Sequence, residues 1–359
     1  MAKPYYDVLD GLRGTAAIVI LVYHFMEMVY TDYSANFLGH GFLAVDFFFC
    51  LSGFVIGFAY DNRIKTVGTK GFFMNRLIRL HPLVVLGSII GLAGFVLNPF
   101  VDGAIAGWGN ILLAFAGSAL LIPTPFLPFR GGSLFPYNSP SWSLFLEYIV
   151  NIVYALVLCR IRKFGLSVLC FVCAGWLMFT SYRAGWLING WDIKTIADGF
   201  PRVAYSFTAG LMVFRFGWTL NNKLGFIFPF ILLMGVFLFP HVENDWLTEA
   251  LMVIVVFPLI IGIGAGAHVT GWIKKLCTFI GRLSYPLYMT HITTAWIFGD
   301  YYNAVKPEGM NLFFLIACLS LFNLTFAYFI MRLYDEPVRA WLTRKIKRKT
   351  ARIPSGFLL

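Results

Sequence analysis

The stretch DGLRGTAAIVILVYHFMEMVY, Asp10 to Tyr30, decides the fold. A bilayer crossing takes about 20 predominantly apolar residues, and this stretch supplies them while carrying Arg13 and His24. It has no obvious small-residue cleavage site, so it reads as a retained span and not as a signal peptide. Working outward, further apolar stretches fall at about 38–60, 82–98, 105–122, 141–159, 165–181, 201–217, 224–241, 247–266, 283–303 and 311–334, which with the first makes eleven. Composition agrees. Of the 359 residues 59% are hydrophobic and 13% charged, against roughly 45–50% and about 25% in soluble domains. A soluble chain of this make-up would lack the polar side chains to cover its surface. The expected fold is all-α, a polytopic integral membrane helical bundle with short loops and no large extramembrane domain.

Basic clusters set the orientation. They sit at Arg63 to Arg79, at Arg160, Arg162 and Lys163, at Arg215 and Lys223, at Lys274 to Arg282 and at Arg339 to Arg352. The positive-inside rule places each in the cytoplasm, and both termini with them. The net charge of +11 is then a set of orientation signals, and nucleic-acid binding is not expected. Three apolar stretches separate Arg79 from Arg160, and an odd number of crossings cannot return the chain to the same side. One of 82–98 and 105–122, both short and glycine-rich, is therefore expected to be re-entrant, giving about ten full spans plus one partial one. The 123–140 loop, with Pro123, Pro125, Pro128, Gly131, Gly132 and Pro136, then faces outward, and a polar acceptor can enter beneath it. The six cysteines lie in or beside apolar stretches. The C-x-x-C of Cys170 and Cys173 reads as helix packing, and no disulfides are expected.

Ionisable groups inside a membrane are expensive and are functional candidates by default. Four stand out: Arg13 and His24 in the first span, Asp46 in the second and Glu147 in the fifth. Eleven residues at about 100° each bring Arg13 and His24 to one helix face, about 16 Å apart along the axis. On the topology above, Asp46 and Glu147 lie at depths similar to His24, a His–carboxylate constellation. Each residue alone has a plainer reading. His24 could be a satisfied core histidine, Asp46 a backbone cap, and Arg13, Arg76 and Arg79 positive-inside anchors. Their joint occurrence at matched depth favours a site. No compact spacing such as H-E-x-x-H is present, so metal binding is not expected.

These residues fall in ordered motifs. Leu9-Asp10-Gly11-Leu12-Arg13-Gly14 followed by His24 resembles the opening R-x10-H motif of the acyltransferase-3 family, membrane-bound O-acyltransferases of carbohydrates and related acceptors. Ala44 to Phe54 is similar to the family's G-V-D-x-F-F-x-L-S-G-F stretch, with Ala44 where glycine is usual, a departure expected to affect helix packing only. Arg76, Arg79 and Pro82 resemble its R-x-x-R-x-x-P segment. Ser141-Trp142-Ser143-Leu144 with Glu147 resembles its S-W-S-L-x-x-E element, and Ser284 to His291 its late S-Y-x-L-Y-x-x-H element. The resemblance covers most of the chain and is to the stand-alone members. It implies an acyltransferase-3-like transmembrane domain over 1–338 and leaves 339–359 as a basic cytoplasmic C-terminal tail.

What the resemblance implies about chemistry fits the spacing. The donor would be acyl-CoA, acetyl-CoA first, whose phosphates need a basic mouth that Arg13, Arg76 and Arg79 can supply. A pantetheine arm threaded from Arg13 could bring the thioester to His24. His24 would act as general base on an acceptor hydroxyl, or carry the acyl group transiently, with Asp46 or Glu147 fixing its tautomer. Trp142, Ser143, Tyr148, Tyr288 and His291, with Ser141, are candidates for holding the acceptor or an oxyanion, and each could equally be packing. The acceptor would be a cell-surface polysaccharide or lipid-linked sugar, and the location a bacterial inner membrane. The competing reading is a proton-coupled transporter or flippase of a glycan-related solute that uses His24, Asp46 and Glu147 as a proton relay.

Overall fold

The computed structural model describes residues 6–30, 32–100, 107–124 and 132–351. Of the positions singled out above, residues 105–106, Pro125, Pro128, Gly131 and the tail from Arg352 lie outside these. The regular structure of the described residues is helical, with two isolated bridges and no strand. In chain order the helices are α1 (Asp7–Val29), α2 (Ala44–Tyr60), α3 (Ile64–Val96), α4 (Trp108–Leu120), α5 (Ser141–Leu156), α6 (Lys163–Ala184) and α7 (Ile196–Phe216). There follow α8 (Ile227–Phe237), α9 (Asp245–Leu251), α10 (Phe257–Gly266), α11 (Gly271–Thr290), α12 (Ile292–Val305), α13 (Gly309–Ile330) and α14 (Glu336–Ala351). A π-helical turn at Met252–Val256 joins α9 to α10, and another at Met331–Asp335 joins α13 to α14.

Seven helical segments among the described residues are long and apolar enough to cross a membrane: Asp7–Val29, Gly41–Tyr60, Ile64–Val96, Ser141–Arg160, Lys163–Ala184, Asp245–Gly266 and Gly309–Ile346. The other expected stretches take other forms. Helix α7 carries Asp198, Arg202 and Arg215, and α4 and α8 are short, at 13 and 11 residues. At 1.5 Å per residue both are under about 20 Å, short of a hydrocarbon core of about 30 Å. The stretch 283–303, read as one span, is divided at His291 between α11 and α12. The cause is local. Pro286 has no N–H for the helical ladder, and His291 Nδ1 lies 3.1 Å and 3.0 Å from the carbonyl oxygens of Leu287 and Tyr288.

Helix α1 lies inside the bundle, against α2, α8, α10, α11, α12 and α13, and α2 runs along α7. Glycine makes both main crossings possible. A Cβ on Gly14 would meet the Ile280 backbone at 2.6 Å, and one on Gly281 the Asp10 carbonyl at 2.7 Å. A Cβ on Gly53 would meet the Phe207 carbonyl at 2.0 Å, and one on Gly210 the Cys50 carbonyl at 1.8 Å. Small residues let helix backbones approach where lipid offers no hydrophobic drive to associate. The α1–α11 and α2–α7 contacts therefore fix the walls around the charged residues of α1, α2 and α7.

Candidate active site

Two cavities lie one beyond the other along α1. The first, of about 290 Å³, is lined by His24, Glu27, Trp142, Trp191, Arg202 and Trp296 among others. The second, of about 230 Å³, is lined by Arg13, Arg76, Arg79, Arg282, Arg339 and Glu147 among others. Val45 and Tyr288 belong to both walls. The common face of Arg13 and His24 thus opens into two chambers, one for each residue.

In the histidine chamber, His24 Nδ1 stands 2.8 Å from Glu27 Oε2, on the next turn of α1. A carboxylate only accepts, so Nδ1 carries a proton, and in the neutral imidazole Nε2 is then the nitrogen with the lone pair. Asp46 and Glu147 were expected in this role, and the structure seats them elsewhere. Asp46, fully buried, accepts from Arg202 Nε at 3.1 Å and Nη2 at 2.5 Å. Glu147 Oε1 accepts from Arg76 Nη2 and from Ser52 Oγ, each at 2.6 Å, and lines the arginine chamber. Similar depth does not imply contact, because each carboxylate faces an arginine across its own helix crossing. Arg202 also donates from Nη1 to the Asn189 carbonyl at 2.7 Å and lies 5.2 Å over the Trp142 ring. Trp142 therefore lines the chamber with one face taken by a guanidinium.

The remaining candidates divide. Ser143 Oγ lies 2.9 Å from the Pro140 carbonyl and 2.7 Å from Tyr288 Oη, which itself lies 3.4 Å from the same carbonyl. This pair sits where the chambers meet. His291 is fully buried, its ring 5.3 Å from that of His24, and Nδ1 faces two carbonyls while Nε2 has no partner. It lies behind His24 and lines neither chamber. Tyr148 and Ser141 also line neither, and their hydroxyls are unpartnered.

In the arginine chamber, Arg13 donates from Nε to Ser284 Oγ at 3.0 Å and from Nη2 to the Gly281 carbonyl at 2.7 Å, and pairs with Asp10 at 2.7 Å. Its place on the lining is held from α11, the helix that Gly14 and Gly281 admit to α1. Sequence reasoning missed Glu27, Arg202, Ser52, Arg282, Arg339, Trp191 and Trp296. For Arg202 a signal was present, an arginine inside an apolar stretch.

Fold and site together define an integral membrane helical bundle with a half-buried His–carboxylate chamber joined to an arginine-lined one. The acyltransferase-3 family model, described as "Acyltransferase domain", matches residues 6–348, and the chain belongs to that family. A Staphylococcus aureus (strain COL) protein named "Putative O-acetyltransferase" is 24% identical over 83% of this chain and 52% of its own length. The chain thus spans about half the length of that relative. "Protein 2 in picA locus" of Rhizobium radiobacter is 37% identical over 42% of this chain and 81% of its own. "Acyltransferase MdmB" of Streptomyces mycarofaciens is 29% identical over 46% and 43%. No solved structure matches the chain.

Proposed function

We propose that this protein transfers an acyl group, acetyl in the first instance, from cytoplasmic acyl-CoA to a hydroxyl of a carbohydrate acceptor. That acceptor is a cell-surface polysaccharide or a lipid-linked sugar. The observation that carries this reading is the pair of chambers sharing Val45 and Tyr288, arginines in one and His24 in the other. Arg13, Arg76 and Arg79 receive the phosphates of the donor, with Arg282 and Arg339 beside them. The acyl thioester extends past Tyr288 to the histidine chamber. His24 Nε2 takes the acceptor's hydroxyl proton as its oxygen attacks the thioester carbonyl. The C–S bond breaks, and the proton passes to the departing thiolate. Transient acylation of Nε2 followed by transfer to the acceptor uses the same atom. Glu27 holds the tautomer in either route. The arginine chamber opens to the cytoplasm of a bacterial inner membrane, with both termini and the basic tail 339–359 on that side of the domain 1–338.

The test is turnover of radiolabelled acetyl-CoA by purified, reconstituted protein, following thioester loss and label transferred to cell-envelope glycans. Wild type is expected to transfer label, His24→Ala to lose transfer, and Arg13→Ala to raise KM for acetyl-CoA. Well-folded wild type that neither binds nor consumes acetyl-CoA or succinyl-CoA would overturn the reading.

A further inference from the structure

Away from both chambers, two imidazole nitrogens on neighbouring rings are without hydrogen-bond partners among the described residues: His40 Nε2 and His241 Nε2. His40 and Glu249 are fully buried. Orphaned polar atoms in such places are rare, and each calls for a missing partner. We propose that His40, His241 and Asp245, backed by Glu249, form a divalent-cation site of the zinc class. It would pin the turn ahead of α2 to the loop and first turn of α9.

One donor atom from each of His40, His241 and Asp245 lies within 4.8 Å of the other two. Bonds of about 2.0–2.1 Å then require each donor to move inward by under about 1 Å. His40 Nε2 stands 4.0 Å from Asp245 Oδ1, and His40 Nδ1 stands 3.2 Å from Glu249 Oε1. That is the carboxylate–histidine–metal arrangement, in which an outer carboxylate accepts from Nδ1–H and leaves Nε2 for the ion. Glu249 is held for the purpose, since its Oε2 accepts the Leu187 N–H at 2.6 Å. His241 Nδ1 lies 2.5 Å from Asp245 Oδ2, with the two imidazoles 4.5 Å apart. The His241 ring is seated on the backbone at Gly39, where a Cβ would meet Nε2 at 2.0 Å. Two imidazole nitrogens and a carboxylate oxygen suit zinc, and the all-oxygen preference of magnesium and calcium disfavours them.

Access and consequence also fit a cation. A surface cleft lined by Asp32, Glu243, His241 and Asp245 leads to the cluster, and its carboxylates favour a positive ion. His40 directly precedes the Gly41–Leu43 turn, which carries Phe42, a wall residue of the histidine chamber. Holding His40 to α9 therefore holds that wall.

The experiment uses untagged full-length protein in detergent, stripped with EDTA, loaded with Zn²⁺ and washed. Bound metal and thermal unfolding are then measured. Wild type and His268→Gln are expected to retain about one ion per chain and to unfold at a higher temperature than the stripped form, and His241→Gln and Asp245→Asn to retain under about a tenth. Equal retention by the variants, or none by wild type, overturns the proposal. Should the variants fail to fold, Co²⁺ loading of wild type decides. The intense visible absorption of a tetrahedral nitrogen–oxygen site supports the assignment, and the weak absorption of a solvated ion refutes it.

Discussion

Tyr288 Oη and Ser143 Oγ stand 2.7 Å apart at the junction of the two chambers, and both hydroxyls reach the Pro140 carbonyl, Ser143 at 2.9 Å and Tyr288 at 3.4 Å. Removing the tyrosine hydroxyl leaves Ser143 bonded, so Tyr288→Phe is expected to fold with a stability loss of no more than about 1.5 kcal/mol. What it removes is a hydroxyl common to both chamber walls, on the path proposed for the thioester, where it can turn from its protein partners to the reacting carbonyl. We expect kcat for acetyl transfer to fall about 10²-fold with KM for acetyl-CoA nearly unchanged. Steady-state kinetics check this, and a rise in KM alone would make the hydroxyl a donor-binding group instead.

The His24–Glu27 pair gives a graded series. A glutamine at 27 can still accept from Nδ1 through its amide oxygen, whereas alanine leaves that nitrogen without a partner on α1. Transfer rates are expected in the order wild type, Glu27→Gln, Glu27→Ala, with the alanine variant down about 10²–10⁴-fold. Wild-type kcat in Glu27→Ala would exclude Glu27 from orienting the base.

The parts of this site that could be read from sequence are those set by one helix's own geometry. Arg13 and His24 are eleven residues apart on one helix, so their common face was available from spacing alone, and the two chambers that it meets were not. Partner choice was not. Asp46 meets Arg202 across 156 residues and Glu147 meets Arg76 across 71, and depth in a bilayer says nothing of which way a side chain points around its helix. Glu27 escaped notice because a carboxylate near the end of a span resembles an ordinary interfacial charge. The cluster of His40, His241 and Asp245 has no local spacing to betray it, its two histidines being about 200 residues apart. The helical membrane fold followed from composition. The break at His291 needed the side chain's own contact with the Leu287 and Tyr288 carbonyls.

The Asp46–Arg202 pair is an ionic link with both partners almost fully buried. Asp46→Ala strands a guanidinium and is expected to cost about 3–5 kcal/mol. The double variant Asp46→Leu with Arg202→Met is expected to recover part of this. Recovery stays incomplete because the Asn189 carbonyl loses its donor and Trp142 its cation. Thermal unfolding in detergent of Asp46→Leu, Arg202→Met and the double gives the coupling, and additive losses would show that the pair does not act as a unit.

The α2–α7 crossing makes the sharpest stability test, because the clash is with backbone and no rotamer can relieve it. A Cβ on Gly210 would lie 1.8 Å from the Cys50 carbonyl oxygen and 3.0 Å from the Phe54 nitrogen. Gly210→Ala must push the helices apart, and with them the elements that join Asp46 to Arg202. We expect a loss of about 1–3 kcal/mol, the usual cost of overpacking, with acetyl transfer reduced in proportion to the displaced wall. Gly175→Ala on α6 is the matched control. Its Cβ meets nothing within 4 Å, so the substitution gains helix propensity of about 1 kcal/mol without a clash. Opposite shifts in unfolding temperature are therefore expected from the same chemical change. A Gly210→Ala variant as stable as wild type would mean that α2 and α7 are not held at this separation.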